Sequence, residues 1–378
     1  MLFICKESLR TQCNKTTVTT LLPKGRNLYA TTKGSAYPGR GLRYLRTGAF
    51  VFAVLCMVCG KGARGQASPR PNVLLPSPQT ALRSASPADS DLQKAEALIE
   101  SGKLADAEQG LRACLSSHTA SADGHFLLGY VLYREQKPKD SLAEYTQGAK
   151  YRKPGAEDLA VVAMDYILLG DFADADKWLT QAVRWKPKDA LYWYYLGRTK
   201  YSENRFQEAI GAFKQNLSLV PRDVRAEYNL GLSYEGLGDT DDALSAFRAA
   251  IAWQANAAGK QDAQPYLDLG MLLMQQGHAE EAVPHLQKAV ELNDQNPRAH
   301  EELGRVYERL HNLLGAQVEL QKAITLAPKV SALHFELGRI YQMEGLHAQA
   351  QSEFERCAAL NGDHSTDAAE TPNPDVRR

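Results

Sequence analysis

The chain has 378 residues, with 44 lysines and arginines and 44 aspartates and glutamates, so its formal net charge is zero. The charges are unevenly distributed: residues 1–67 hold 11 bases and one acid, which leaves residues 68–378 with 33 bases, 43 acids and a net charge of −10. An acidic body argues against nucleic-acid binding, because that function needs a basic surface.

Residues 49–59 form an unbroken apolar run that follows Arg43 and Arg46. A run of this length suits the h-region of a signal peptide and is well short of the ~20 residues that span a bilayer. Gly65 and Ala67 are small residues at the −3 and −1 positions of a cleavage site, so we predict cleavage after Ala67 and a secreted or periplasmic protein. The alternative is an uncleaved segment that anchors the protein in a membrane.

The flanks of the remaining chain are predicted to be irregular. Residues 68–87 are rich in proline and serine, which favours an extended, disordered linker. Residues 365–378 are polar, contain Pro372 and Pro374 and lack a helical period, which favours a disordered tail. Between these flanks the sequence follows a regular pattern.

A small residue recurs in this pattern at an interval of 34 residues. The series is Ala95, Gly129, Ala163, Gly197, Gly231, Gly270, Gly304 and Gly338, with one longer step of 39 residues caused by an insertion at residues 258–262. A fixed period of this length indicates an array of similar units, each packed on its neighbours. We therefore predict eight repeats: residues 88–121, 122–155, 156–189, 190–223, 224–257, 263–296, 297–330 and 331–364.

Each repeat is predicted to be a pair of helices, as residues 190–223 illustrate. In the first half the apolar residues recur at the spacing of one helical face. The second half closes at Pro221, which cannot continue a helix. Small Gly197 and Ala209 would let the two helices approach closely, and large Phe213 would fill the space beside them.

The order Trp, Leu-Gly, Tyr, Ala, Phe, Ala and Pro at these spacings resembles the tetratricopeptide repeat. The Leu-Gly pair stands as Leu128-Gly129, Leu196-Gly197, Leu230-Gly231, Leu269-Gly270, Leu303-Gly304 and Leu337-Gly338. The resemblance covers residues 88–361. It implies an all-α fold, a right-handed superhelical solenoid of paired antiparallel helices, and a concave groove that receives a protein or peptide partner.

The sequence carries no arrangement typical of an enzyme. The segment from His300 to Gly304 begins like a zinc-protease helix, but its second histidine is missing. His300 and His334 occupy the repeat position filled elsewhere by Trp193 and Tyr266, which favours packing over metal binding. Gly-rich phosphate loops, nucleophile elbows and paired cysteine motifs are also lacking. We predict no catalytic activity, no cofactor and no metal.

The candidate binding surface is the inner side of the first helix in each repeat, at positions 2, 5, 9 and 12, which the resemblance implies is the face turned toward the concave groove. Tyrosine and arginine, the residue types enriched at binding hot spots, cluster there. The predicted partner-binding residues are Phe126, Tyr130, Tyr133, Tyr194, Arg198, Tyr201, Tyr228, Arg305 and Arg339. The alternative is that the rings only cover seams between helices. Family members that grip a terminal carboxylate carry lysine at position 5 and asparagine at position 9, a combination absent here.

These features predict an exported, non-catalytic scaffold or adaptor that binds a segment of another protein in the groove. The partner is predicted to be a protein or peptide, without nucleic acid, and with membrane contact only through an uncleaved leader. The alternative function is structural: self-association through the ends of the repeat array.

Overall fold

In a computed structural model, residues 87–256 and 259–367 are described. These residues form sixteen α-helices and no β-strand. The helices are α1 (Pro87–Glu100), α2 (Leu104–Ser117), α3 (Ala122–Arg134), α4 (Pro138–Gly148), α5 (Ala156–Leu168), α6 (Phe172–Trp185), α7 (Ala190–Ser202), α8 (Phe206–Leu219), α9 (Val224–Leu237), α10 (Thr240–Ala255), α11 (Gln264–Gln275), α12 (Ala279–Leu292), α13 (Pro297–Arg309), α14 (Leu313–Leu326), α15 (Ser331–Met343) and α16 (His347–Asp367).

The predicted leader, its cleavage site after Ala67, and nearly all of the predicted linker at residues 68–87 lie outside the described residues. So does most of the predicted tail. The last helix, α16, continues through Asp367, three residues past the end that we predicted for the final repeat. None of the helices in the described segments is both long enough and apolar enough to cross a membrane.

Each odd-numbered helix packs on the even-numbered helix that follows it. In the pair α3–α4, Phe126 meets Gly148 while Gly129, one turn later, meets Tyr145. Contacts that advance along one helix and retreat along the other show that the two helices are antiparallel. The pairs stack in chain order, and the predicted all-α solenoid is confirmed.

The small residue at position 8 is required by close contact with position 24 of the same repeat. A Cβ atom added to Gly197 would lie 2.7 Å from the ring of Phe213, closer than real Cβ atoms come to a neighbour. The same relationship holds for Gly129–Tyr145, Gly231–Phe247, Gly270–Leu286, Gly304–Leu320 and Gly338–Phe354. The close approach predicted for Gly197 is therefore confirmed.

The turn inside each pair places one residue, at position 15, in the left-handed region. Five of these residues are glycines: Gly102, Gly170, Gly238, Gly277 and Gly345. The other three are Gln136, Asn204 and His311, with φ of 61°, 58° and 57°. A residue in the left-handed conformation ends a helix, so the first helix of each pair stops before position 15. Glycine is the commonest residue there because it adopts this conformation without steric cost.

A histidine ties the two helices together in three of the pairs. Its Nδ1 atom lies 2.6 Å from a glutamate of the second helix, in His125–Glu144, His300–Glu319 and His334–Glu353. Its Nε2 atom lies 3.1 to 3.2 Å from a carbonyl oxygen of the preceding turn, at Thr119, Asp294 and Pro328. In α7 the indole of Trp193 replaces the ring and donates to the carbonyl of Pro187 at 2.8 Å. His300 and His334 are thus buried packing residues, as their repeat position indicates.

Candidate partner-binding site

The nine residues predicted to bind a partner all lie on odd-numbered helices. Phe126, Tyr130 and Tyr133 belong to α3, Tyr194, Arg198 and Tyr201 to α7, Tyr228 to α9, Arg305 to α13 and Arg339 to α15. Odd-numbered helices also contact one another directly, as α1–α3, α3–α5, α7–α9 and α11–α13 do. We call the surface formed by positions 5, 9 and 12 of these helices the inner face. Its three parts differ in exposure and charge.

On α3 the three aromatic side chains are buried. Phe126 is 1% exposed, and Tyr130 and Tyr133 are 2% exposed. The Phe126 ring stacks on Tyr145 at 5.6 Å and lies beneath the guanidinium of Arg152 at 4.6 Å. These rings cover the seams between helices, the alternative that the sequence left open, and they offer almost no surface to a partner in this conformation.

On α7 the inner face is more open and carries positive charge. The ring of Tyr194, 7% exposed, lies between two guanidinium groups, with Arg198 at 5.9 Å and Arg225 at 4.9 Å from its centre. Tyr201, one turn beyond Arg198, is partly exposed and meets the ring of Phe206 edge-on at 5.4 Å. The structure therefore brings Tyr194, Arg198 and Tyr201 together on one helix.

Tyr228 links this region to the next odd-numbered helix. Its hydroxyl donates to a carboxylate oxygen of Asp268 on α11 at 2.6 Å. Gln264 donates to the same carboxylate at 3.1 Å. Burial, followed by the nearby negative charge of Asp268, raises the pKa of the Tyr228 hydroxyl, so it stays a hydrogen-bond donor at neutral pH. The hydroxyl of Tyr228 therefore joins α9 to α11 by a hydrogen bond, next to the partly exposed residues of α7.

A depression opens beside Arg198, at the seam between α5 and α7. The space within it is about 360 Å³ when the part open to solvent is counted. Its walls are Met164, Ile167 and Leu168 of α5, Phe172 of α6, and Tyr195, Arg198, Thr199 and Ser202 of α7. Met164 and Ile167 occupy inner positions 9 and 12 but are not among the predicted binding residues, which are all aromatic residues or arginines. The signal that could have revealed the depression is the small size of Thr199 and Ser202 opposite them.

At the C-terminal end of the inner face, arginines are paired with carboxylates of their own chain. Arg305 lies 3.3 Å from Glu302 on α13 and 3.0 Å from Glu336 on α15. Arg339 pairs with Glu308 across the same seam. Burial raises the pKa of Glu336 to about 7, against the opposing effect of Arg305. This part of the surface is internally neutralised.

A buried polar pair lies behind the inner face, where Asp165 of α5 meets Ser141 of α4 at 2.5 Å. Ser141 is also 2.8 Å from the carbonyl oxygen of Gly129. Burial raises the pKa of Asp165 to about 8. Because Ser141 has one hydrogen, both contacts are satisfied when protonated Asp165 donates to Ser141 and Ser141 donates to Gly129. Both side chains are fully buried, so the pair joins helices and does not face a substrate.

Metal ligands are not clustered in the parts of the chain that the structure describes. No group of three or more His, Cys, Asp or Glu side chains there is placed to hold a metal ion. The histidines of the helix pairs each face one carboxylate and one backbone carbonyl. The open part of the inner face instead combines aromatic rings, guanidinium groups and an apolar depression, which suits non-covalent recognition.

Comparison with protein-family models gives matches over most of the helical region. One model described as tetratricopeptide repeat matches residues 223–295. A second with the same description matches residues 92–157, 163–215 and 267–329. Together these segments cover more than half of the chain.

The curated relatives match over short stretches only. The peroxisomal targeting signal receptor of Kluyveromyces lactis is 37% identical over 71 residues, which is 19% of this chain and 12% of that protein. The human PEX5-related protein is 33% identical over 120 residues, 32% of this chain and 17% of that protein. The chain thus spans less than a fifth of either relative.

Among solved structures, a tetratricopeptide repeat protein from Parabacteroides merdae has a TM-score of 0.50 and 18% sequence identity. The match covers 67% of this chain and 98% of that one. At this identity the likeness concerns the fold alone.

Proposed function

The chain belongs to the tetratricopeptide repeat family, and from this premise we propose that it is an exported, non-catalytic scaffold or adaptor. Its partner is a segment of another protein, bound on the inner face. The observation that carries the proposal is the partly exposed Arg198 of α7, which lies over the ring of Tyr194 and borders the depression at the α5–α7 seam, with Tyr201 one turn further along the helix. Tyrosine and arginine anchors next to an apolar recess are typical of binding hot spots.

The burial of Phe126, Tyr130 and Tyr133 narrows the proposed site. A partner bound to the inner face would contact α7, α9 and α11, where Tyr201, Leu232 and their neighbours are partly exposed. The relatives in Kluyveromyces lactis and human are named as a targeting signal receptor and a protein related to one. Recognition of a peptide segment agrees with those names.

Export is the second part of the proposal, and it rests on the apolar run at residues 49–59 and the predicted cleavage site after Ala67. N-terminal sequencing of the protein from its native cells tests it. A mature chain that begins at Ser68 is the expected result. A chain that retains the apolar run contradicts cleavage and favours the anchored alternative.

Binding on the inner face is tested by site-specific photo-crosslinking in the native cells. A photoreactive phenylalanine analogue replaces Tyr201, Leu232 or Met271 on the inner face. Matched controls replace Trp185 or Val318, which are exposed on even-numbered helices. The proposal predicts that the inner positions crosslink to a common partner and that the controls do not. Equal crosslinking from both sets would contradict an inner-face site.

The alternative function, self-association through the ends of the array, is favoured by one observation. Phe335, Met343 and Leu346 in the last predicted repeat are 48%, 47% and 39% exposed. Apolar side chains at the end of a stack are a ready contact for another array. Light scattering over a concentration series separates the two functions, because open-ended stacking grows with concentration and partner binding does not.

A further inference from the structure

Three repeats carry an arginine at the same inner position, the ninth, and they treat it differently. Arg305 and Arg339 are both paired with carboxylates of their own chain. The third, Arg198, makes no ion pair or hydrogen bond with any described residue. All three arginines are at least partly exposed. The difference therefore lies in the residues around them.

The carboxylates that pair with Arg305 and Arg339 come from three repeat positions. Glu308, the partner of Arg339, is at position 12 of the preceding repeat. The partners of Arg305 are Glu301 at position 5 of its own repeat and Glu302 and Glu336 at position 6 of the same and the following repeat. Around Arg198 these four slots hold residues without charge: Ile167, Tyr194, Tyr195 and Asn229. The register that neutralises the other two arginines leaves Arg198 without an anion.

A second guanidinium lies close to Arg198 but is paired within the chain. Arg225 lies over the same Tyr194 ring as Arg198, on the neighbouring helix α9. The carboxylate paired with Arg225 is that of Asp223, at 3.4 Å. Of the two guanidinium groups over this ring, Arg198 is therefore the one without a carboxylate partner among the described residues, and it borders the depression.

The depression supplies the apolar half of the site. Met164 and Ile167 form its wall on α5, and Thr199 and Ser202 leave space on the α7 side. At the seam between α13 and α15, Glu308 stands at the repeat position of Ile167 and Arg339 at that of Arg198. The ion pair of Glu308 and Arg339 bridges the two helices. Arg198 thus borders an apolar recess, whereas the other two position-9 arginines of the described residues are paired with carboxylates.

We propose that this seam anchors an acidic, apolar element of a partner protein. An aspartate or glutamate of the partner pairs with Arg198, and a leucine-, isoleucine- or methionine-sized side chain next to it enters the depression. The inference rests on the proposed function and assigns the chemistry of the bound segment. A charge-assisted, bidentate contact would give orientation, and burial of the apolar side chain would add affinity.

The test is selection from a random hexapeptide library, acetylated and amidated at its ends so that only side chains carry carboxylates. The immobilised full-length protein is incubated with the library, and retained peptides are sequenced. Wild type is expected to enrich peptides in which Asp or Glu is within two positions of Leu, Ile or Met. Arg198→Gln is expected to reduce this enrichment about tenfold, because the charge-assisted contact is lost.

Two further variants make the result specific. Ile167→Glu places a carboxylate where Glu308 stands beside Arg339, so an internal ion pair should displace the acidic peptides about as strongly as Arg198→Gln does. Arg248→Gln removes an exposed arginine of α10, outside the inner face, that is already paired with Glu281, and should leave the enrichment unchanged. Helix content and melting curves by circular dichroism confirm that each variant is folded.

Each outcome decides the proposal. Acidic enrichment that survives Arg198→Gln overturns it, and so does selection by wild type of peptides without an acid. The absence of any selection by wild type overturns it as well. Photo-crosslinking tests inner-face binding separately. Crosslinking at the inner positions without selection of acidic peptides would overturn this proposal alone, whereas equal crosslinking at the control positions would contradict the inner-face site itself.

Discussion

Nδ1 of His300 on α13 lies 2.6 Å from a carboxylate oxygen of Glu319 on α14, 19 residues later in the chain. Within this protein the two residue types occur together: position 4 is histidine in three repeats, and position 23 is glutamate in the same three. Where position 4 is Trp193, position 23 is Ala212. The carbonyl oxygen of Asp294 is the hydrogen-bond partner of Nε2, so the carboxylate of Glu319 is the partner of Nδ1. The His–Glu pair is a side-chain hydrogen bond that joins the two helices of a repeat.

Removing one member of the His300–Glu319 pair should destabilise the protein. Glu319→Ala leaves a buried ring nitrogen without a partner, and we expect a loss of about 1–3 kcal/mol in the free energy of unfolding. The double variant His300→Trp with Glu319→Ala recreates the α7–α8 arrangement and should recover part of that loss. Chemical denaturation followed by circular dichroism measures both. A double variant no more stable than Glu319→Ala would contradict the idea that tryptophan at position 4 can replace the histidine–glutamate pair.

The glycine at position 8 gives a prediction with an internal control. Gly197→Ala would force a Cβ atom to within 2.7 Å of Phe213, and we expect it to destabilise the protein by roughly 1–3 kcal/mol. Gly211, on the exposed side of α8, has no atom within 4 Å of an added Cβ. Gly211→Ala should therefore stabilise by about 0.5–1 kcal/mol through better helix propensity. Thermal melting compares the two.

Repeats that carry alanine at position 8 suggest how to rescue the first variant. Ala95 and Ala163 face leucines, Leu111 and Leu179, at position 24. Adding Phe213→Leu to Gly197→Ala should therefore recover part of the lost stability. Failure of the rescue would mean that the small residue at position 8 is required by something other than the size of position 24.

The period predicted the helix pairs and their close contacts because both depend on residues within one repeat. Exposure was harder to predict, since it depends on how neighbouring repeats cover a surface. Phe126 occupies the same inner position as Tyr228, yet it is sealed by Gly148 and Arg152, whose contacts no spacing rule shows. The depression beside Arg198 depends in the same way on side-chain size across a seam. Periodicity assigns a face to each residue, while packing decides whether that face is open.

The left-handed turn position offers a stabilising substitution. His311 adopts φ of 57° at the place where five repeats have glycine, and a non-glycine side chain in this region costs roughly 1–2 kcal/mol. His311→Gly should therefore raise the free energy of unfolding by about 0.5–1 kcal/mol, because relief of strain exceeds the entropy that glycine adds to the unfolded chain. Gly238→Ala, at φ of 85°, is the reverse control and should destabilise. Equal melting temperatures for both variants and wild type would contradict this account.

Asp165 predicts how stability changes with pH. Burial raises its pKa to about 8 in the folded protein, against about 3.9 for an unperturbed aspartate. Between pH 4 and pH 8 the folded state therefore binds more protons than the unfolded state, so the free energy of unfolding falls as pH rises and levels off above pH 8. The slope from this one group is at most about 1.4 kcal/mol per pH unit.

Asp165→Asn removes the ionisable group while keeping an N–H donor that can hydrogen-bond Ser141, as protonated Asp165 does. We expect the loss of stability from pH 5 to pH 8 to become distinctly smaller in this variant, with a remainder from Glu336, whose pKa is also raised by burial, to about 7. Asp241→Asn, at an exposed site in the first turn of α10, is the matched control and should keep the wild-type slope. Denaturation midpoints at four pH values measure the effect. An Asp165→Asn variant with the wild-type slope would mean that Asp165 is already ionised in the fold, and the proton shared with Ser141 would have to come from the serine alone.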